Sequence, residues 1–317
     1  MNPVTIEKPK YESLIAWLKS KDAIVNDAIY IQQSSRGGGY GAFVSTDIPE
    51  GDLLFTVPRS ACITLDNVKT DPQCGDVFQK IMDKAGPGGN TVVMAGFLAK
   101  EYLCSDGVGD GDFGPYLETL PWVRGINAQE HVLFWESVDV EINLKGSFCY
   151  KETMELRSEV DLAISVLNNI IGRSVRVYRG EELESGFRFP WQPAPTLGPV
   201  EGLDEAVKGA FVSLLTRGFE DGEDADKLVP LLDMLQHSDE PNVSHVMRKS
   251  DGTVEVRAKR RMTAGEELLN QYRSEEEETM PYHRFFTRFG FVPGIMEPVE
   301  NLLKDQSSIF YPKVVEV

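Results

Sequence analysis

Strand-like sequence opens this chain, stops, and resumes far downstream, so the fold must bring the two sides of that interruption together. Residues 28–34 (AIYIQQS) and 41–60 (GAFVSTDIPEGDLLFTVPRS) are rich in Val, Ile and Phe and are punctuated by IPEG at 48–51. That pattern predicts short strands broken by turns. An amphipathic helix precedes them, because Tyr11, Leu14, Ile15 and Leu18 fall at helical spacing within 10–18. After residue 65 the period changes. Residues 91–103 (TVVMAGFLAKEYL) read as a helix following the breaker GPGG at 86–89. Val160, Ala163, Leu167, Ile170 and Ile171 mark one apolar face of a long helix across 152–171, and 203–219 (LDEAVKGAFVSLLTRGF) form a third. Between the last two, the prolines of FRFPWQPAPTLGPV exclude regular structure. Strand character returns at 253–260 (TVEVRAKR) and 266–272 (EELLNQY). The order strand, helix, strand implies one domain carrying a helical insertion.

Composition removes several function classes. No run of about 18 apolar residues is present, so no membrane-spanning helix is expected. The start, MNPVTIEKPK, has no hydrophobic signal core, which points to the cytoplasm or nucleus. Cys62, Cys74, Cys104 and Cys149 lie far apart with no CxxC pair, so reduced, buried thiols are expected rather than a zinc cluster. The formal charge of −18 repels nucleic-acid phosphates and anionic lipid and attracts Lys- or Arg-rich partners. By itself it also fits a chain that is merely well solvated.

Two stretches carry the chemistry. In RGGGYGAF (36–43) the glycines free the backbone for positive φ and close approach to a ligand. The GxGxxG spacing is not met, and a strand follows where a dinucleotide site needs a helix. A hairpin turn is the plainer reading. In DMLQHSDEPNV (233–243) an acid, an amide, an imidazole and a hydroxyl crowd together. Asp233 and His237, four apart, suit one helical face, with His245 beyond. Yet the chain has 4 His and no HExxH, so a metal site is disfavoured. No GxSxG elbow accompanies Ser238 for a nucleophile triad. A backbone shelf for a cofactor remains, followed by a late tyrosine, Tyr272, and the pair Phe289 and Phe291.

In this order the segments resemble the SET-domain methyltransferases, and within them the class of rubisco large-subunit lysine methyltransferases. GYGAFVSTDIPEGDLLFTVPRS resembles the opening SET motif, and FGPYLETLP (113–121) resembles the class hallmark PYxxxLP. LFWESVDVEINLKGS (133–147) is similar to its Trp-containing segment, and AFVSLLTRGF (210–219) to the helix closing the insertion. VPLLDMLQHS resembles PxxDxxNHS, and GEELLNQY resembles GEExxxxY. Together they cover residues 25 to 292. The absence of cysteine-rich flanking segments agrees with this class and not with the histone-directed branches.

The resemblance implies an α+β SET fold of small sheets with a pseudoknot-like C-terminal crossing, interrupted by a mostly helical insertion. It implies residues 1–68 as the N-terminal helix and first half of the SET domain, 69–226 as the insertion, 227–293 as the second half and 294–317 as a short tail. It also implies methyl transfer from S-adenosylmethionine, with S-adenosylhomocysteine as product and no metal, to a lysine nitrogen of a basic protein or peptide, histone or non-histone. Gly38, Gly39, Tyr40 and Gly41 would set backbone against the cofactor, and Arg217 would meet its carboxylate and lie near the substrate. Gln236 and His237 would form the adenine shelf. Tyr272 would orient the amine as the catalytic residue and also border the cofactor. Phe291 would wall the cofactor site, with Asp233 and Phe289 near the substrate nitrogen. The class carries asparagine at the place of Gln236, and many relatives carry tyrosine at Phe289. A histidine N-methyltransferase and a silent peptide-binding module therefore stay open beside the lysine enzyme. The short tail leaves an apolar face that a second copy would cover. The acidic run SEEEETMP (274–281) reads as a solvated loop or as a capture loop for a basic segment.

Overall fold

A computed structural model describes residues 8–34, 39–105, 112–122, 131–181, 198–220, 226–272 and 281–292. Helix α1 (Lys8–Ser20) buries Tyr11, Leu14 and Leu18 along one face, which lengthens the expected helix at both ends. Strand β1 (Ile29–Gln33) pairs antiparallel with β2 (Tyr40–Val44), Ile29 opposite Val44 and Gln33 opposite Tyr40. The Ser34 N–H donates to Gly39 O at 2.8 Å, closing the end of the β1–β2 hairpin, whose connecting residues 35–38 lie outside the described residues. Strand β3 (Leu53–Val57) completes the first strand region.

The helices follow. In α2 (Leu65–Lys69) a capping box closes the first turn, with the Thr64 N–H donating to Asn67 Oδ1 at 2.8 Å. Helices α3 (Gly75–Ala85) and α4 (Pro87–Leu103) meet at Gly86. The GPGG breaker is thus a junction of two helices, and its last two glycines lie inside the first turn of α4. Gly86, at φ 62°, ends α3, and Pro87 opens α4 at a position where no N–H partner is missed. Helices α5 (Gly114–Leu117) and α6 (Ser137–Leu144) are short, whereas α7 (Phe148–Tyr178) runs beyond 152–171 because Cys149 and Val175 extend its buried face. Helix α8 (Leu203–Arg217) packs on α4 and α7. Of the proline-rich stretch, 187–197 lie outside the described residues and 198–200 have no regular structure.

Strands β4 (Gly218–Glu220) and β5 (Asp226–Leu228) form a small antiparallel pair. After them come β6 (Gln236–His237), β7 (Val243–Met247), β8 (Val254–Ala258), β9 (Leu269–Asn270) and helix α9 (Tyr282–Phe289). The predicted strand 266–272 contracts to β9 because its first half bonds irregularly to β2: the Val44 N–H donates to Glu266 O at 3.0 Å and the Leu268 N–H to Ala42 O at 2.8 Å.

The interruption closes on itself. β3, before the helices, pairs antiparallel with β8, after them, placing Leu53 opposite Arg257 and Val57 opposite Val254. β7 adds to the other edge of β8. Ile63 and Leu228 exchange both backbone hydrogen bonds, at 3.1 and 2.9 Å, across the neck of the helical block. One core runs from α1 through both strand regions into α3, α4, α7 and α8. A smaller one, with Val140, Leu144, Cys149, Phe286 and Val292, docks α9 on α6 and α7. The four cysteines are free thiols; burial pushes Cys104 up to about 11 and Cys149 up to about 12, so neither ionises at neutral pH. Among the described residues no helix is long and apolar enough to cross a membrane.

His131 borders the smaller core. Its Nδ1 accepts the Leu133 N–H at 3.2 Å, which leaves Nε2 to donate to Arg288 O at 3.2 Å. The ring is 1% exposed, and burial lowers its pKa from 6.5 to about 4. An unfolded chain takes up the proton first, so stability is full above the unfolded value and declines as pH falls from 6.5 towards 4. This group should account for about 3 kcal/mol of acid destabilisation. Denaturant titrations across that range should show a loss smaller by this amount in His131→Gln, which is less stable at neutral pH.

Candidate active site

Three segments distant in the sequence share one surface: the glycine turn, residues 231–238 and residues 266–272. Gln236 Nε2 donates to Tyr40 O at 3.0 Å, tying the shelf to the start of β2. β6 pairs with β9 in parallel, Gln236 opposite Leu269 and His237 opposite Asn270, which is the crossing of the two segments. Asn242, fully buried, clamps the same junction: its Nδ2 donates to Glu267 O at 2.7 Å and its Oδ1 accepts the Leu269 N–H at 2.7 Å. Gly39 has φ 86°, in the left-handed region. Gly41 is buried, and a Cβ there would collide with the Glu267 carboxylate and lie 3.6 Å from Gln236 Cγ. The Tyr40 ring packs against Tyr11 with centroids 4.8 Å apart, so Tyr40 offers the site its backbone. Gly38 lies outside the described residues, as do 274–280 of the acidic run.

The helical face suggested for Asp233 and His237 does not form. Leu231, fully buried, takes φ 70° and ψ −42°, a strained turn for a branched residue. A single 3-10 turn, Leu232–Met234, follows, and pairing with β9 then extends the chain through His237. The turn drives Asp233 inward. Its side chain has no exposed surface; Oδ2 accepts the Tyr116 hydroxyl at 2.8 Å and faces Arg217 Nη1 at 3.5 Å. Burial raises its carboxyl pKa against the lowering by Arg217 and Tyr116. So enclosed, the carboxylate touches no substrate in this conformation, and any effect it has on a ligand passes through those two partners. Arg217, expected at the site, is there at the end of α8 rather than out in solvent.

Tyr272 lies just past β9. Its hydroxyl donates to Leu235 O at 2.8 Å and its N–H to His237 Nδ1 at 3.1 Å. With Nδ1 accepting, the neutral His237 ring carries its proton on Nε2, which donates to Asp239 at 3.2 Å. Burial pushes the Tyr272 phenol well above its usual value, so it stays protonated. Around it stand His237 (ring centroids 5.2 Å), Phe289 (5.5 Å) and Phe291 (6.3 Å). Phe285 fills the centre, 4.5 Å from Phe289 and 5.1 Å from Phe291. The other imidazoles are elsewhere: His131 on Arg288 O, His245 edge-on to Phe219 at 5.6 Å and His283 near Phe148 at 5.3 Å.

Tyr116, Asn242, Glu267 and Phe285 are site residues that sequence reasoning passed over. Tyr116 sat in a quoted motif and Glu267 in another, each without a role. Phe285 is one of several phenylalanines in RFFTRFGF, and its centrality comes only from the packing of α9. Nothing in the pattern around Asn242 distinguishes it from a turn residue.

The model of one protein family, described as the SET domain, matches residues 39–273. The N-lysine methyltransferase setd6 of Salmo salar is 24% identical over 267 residues, covering 82% of this chain and 54% of its own. That of Danio rerio is 23% identical over 311 residues, covering 94% of this chain and 59% of its own. The chain therefore spans between half and three-fifths of these relatives' length. Among solved structures, the SET domain of LSMT bound to lysine and AdoHcy superposes with TM-score 0.63 at 18% identity, covering 90% of this chain and 58% of that one. Rubisco LSMT bound to AdoMet superposes with TM-score 0.62 at 18% identity, covering 92% and 57%. The fold is thus the one seen in those structures.

Gly41→Ala sets a methyl group against Glu267 and Gln236. Overpacking of this kind costs about 1–3 kcal/mol, to be read as a lower denaturant midpoint.

Proposed function

The chain belongs to the SET-domain family, and from that membership we propose that it is a protein-lysine N-methyltransferase using S-adenosylmethionine. One observation carries the reading: the glycine turn, the 233–238 shelf and Tyr272 are bonded into one surface beside a cluster of aromatic rings. The residues suit that cofactor. Arg217 Nη1 is a buried donor with no hydrogen-bond partner among the described residues, as a carboxylate requires. When bound, the cofactor supplies an electrophilic methyl group on a sulfonium sulfur.

The chain's own residues then have distinct tasks. The Gly39–Gly41 backbone and the backbone of Gln236 and His237 hold the donor, and Phe291 walls the pocket. The His237 ring is committed to the Tyr272 N–H and Asp239, which fixes it in the shelf. The Gln236 amide braces Tyr40 O, a use for the longer side chain in place of asparagine. The Tyr272 proton is committed to Leu235 O, so towards an amine its oxygen acts as an acceptor that orients it. Phe289 and Phe285 exclude water around that amine. A free lysine has a pKa of about 10.4, so roughly one in a few thousand is neutral at pH 7. A water-poor aromatic channel favours the neutral form. The charge of −18 opposes this, but it favours capture of a basic substrate segment, histone or non-histone.

Radiolabelled methyl transfer into cell extract tests the proposal. Wild type should label protein, with the mass shift on lysine after digestion, and Tyr272→Phe should lose about a hundredfold in rate with the cofactor still bound. The rate should rise between about pH 7 and 9; a flat profile with chemistry limiting would exclude an amine nucleophile.

A further inference from the structure

One motif has no part in this chemistry: PYLETLP, whose Tyr116 lies on α5 inside the helical block. Its side chain is fully buried. Phenylalanine would fill nearly the same space without a hydroxyl that needs a partner. That hydroxyl reaches across the fold to Asp233 Oδ2 at 2.8 Å. The same oxygen faces Arg217 Nη1, yet at 3.5 Å, too far for a good hydrogen bond. A guanidinium beside an unshared buried carboxylate closes into a two-bond fork at about 2.7–2.9 Å. Here it has not closed, and both Arg217 Nη1 and Asp233 Oδ1 are buried with no hydrogen-bond partner among the described residues.

We propose that Tyr116 is a positioning residue: by occupying Asp233 Oδ2, its hydroxyl keeps Arg217 from collapsing onto Asp233 and leaves the guanidinium open to the carboxylate of the cofactor. Asp233 is the charge that would draw the arginine away from the pocket, and Tyr116 limits how closely it does so. The helical block thereby reaches the cofactor pocket through one hydroxyl. This rests on the function proposed above and names how its cofactor carboxylate is recognised.

Calorimetry on the full chain tests it with S-adenosylmethionine and decarboxylated S-adenosylmethionine, which differ only in that carboxylate. Wild type should prefer the first by about tenfold or more, the scale of one charge-assisted hydrogen bond. In Tyr116→Phe the preference should fall to about twofold, with the decarboxylated ligand bound as before. Adding Asp233→Asn should restore the preference, because a neutral amide does not capture a guanidinium. A preference that survives in Tyr116→Phe, or equal weakening of both ligands, overturns the proposal, the latter marking a packing role. Wild type that binds neither ligand overturns the methyltransferase reading itself. Should Tyr116→Phe prove too unstable to titrate, Asp233→Asn alone decides: it keeps the preference under the proposal and loses it if Asp233 is what orients Arg217.

Discussion

The exchange of backbone hydrogen bonds between Ile63 and Leu228, continued by the pairing of β3 with β8, is the constraint on which everything else in the molecule depends. It closes the neck of the helical block, so α2 to α8 can be long and various without separating the two strand regions. The entropy of closing such a loop grows only slowly with its length. With the neck closed, β2 reaches the 266–268 backbone and the glycine turn reaches Gln236. Without it, the two halves of the site would belong to different surfaces.

Around that neck, several buried polar groups hold segments together. Asn242 joins the shelf to β9, and Thr64 with Asn67 starts the helical block at its root. Asp233 differs, because its ties to Tyr116 and Arg217 leave one oxygen and one guanidinium nitrogen without a hydrogen-bond partner among the described residues. Unsatisfied buried polar atoms cost stability, and they persist where a ligand completes them. The strained turn at Leu231, immediately upstream, fits the same account: backbone strain gathers where packing must aim a side chain.

Under the proposed function, charge and apolar packing would act on a lysine substrate in opposite directions. The acidic surface favours the ammonium and acts over a Debye length of about 8–10 Å, which suits capture. The cluster of Phe285, Phe289, Phe291 and Tyr272 acts at contact and disfavours the ammonium, which suits reaction. Separating the two by distance would let the proposed enzyme attract a cation and still use an amine.

Local pattern was enough for the order of strands and helices and for the hairpin at the glycines, and the family resemblance for the segments that meet at the site. Period and turn residues act within a few positions, and the glycine stretch announces itself that way, whereas the roles of Gln236 and Tyr272 came from the resemblance to the SET-domain class. Helix ends were misjudged where neighbours decide them: GPGG became a helix junction because α3 and α4 both pack, and α7 outgrew its strongest apolar stretch. Side-chain partnerships were left to the folded state. That Asp233 faces inward to Tyr116 and Arg217, that Phe285 sits at the centre of the aromatic cluster, and that Asn242 clamps β9 are contacts between residues far apart in the chain. They exist only once the neck has closed, and no spacing within either segment encodes them.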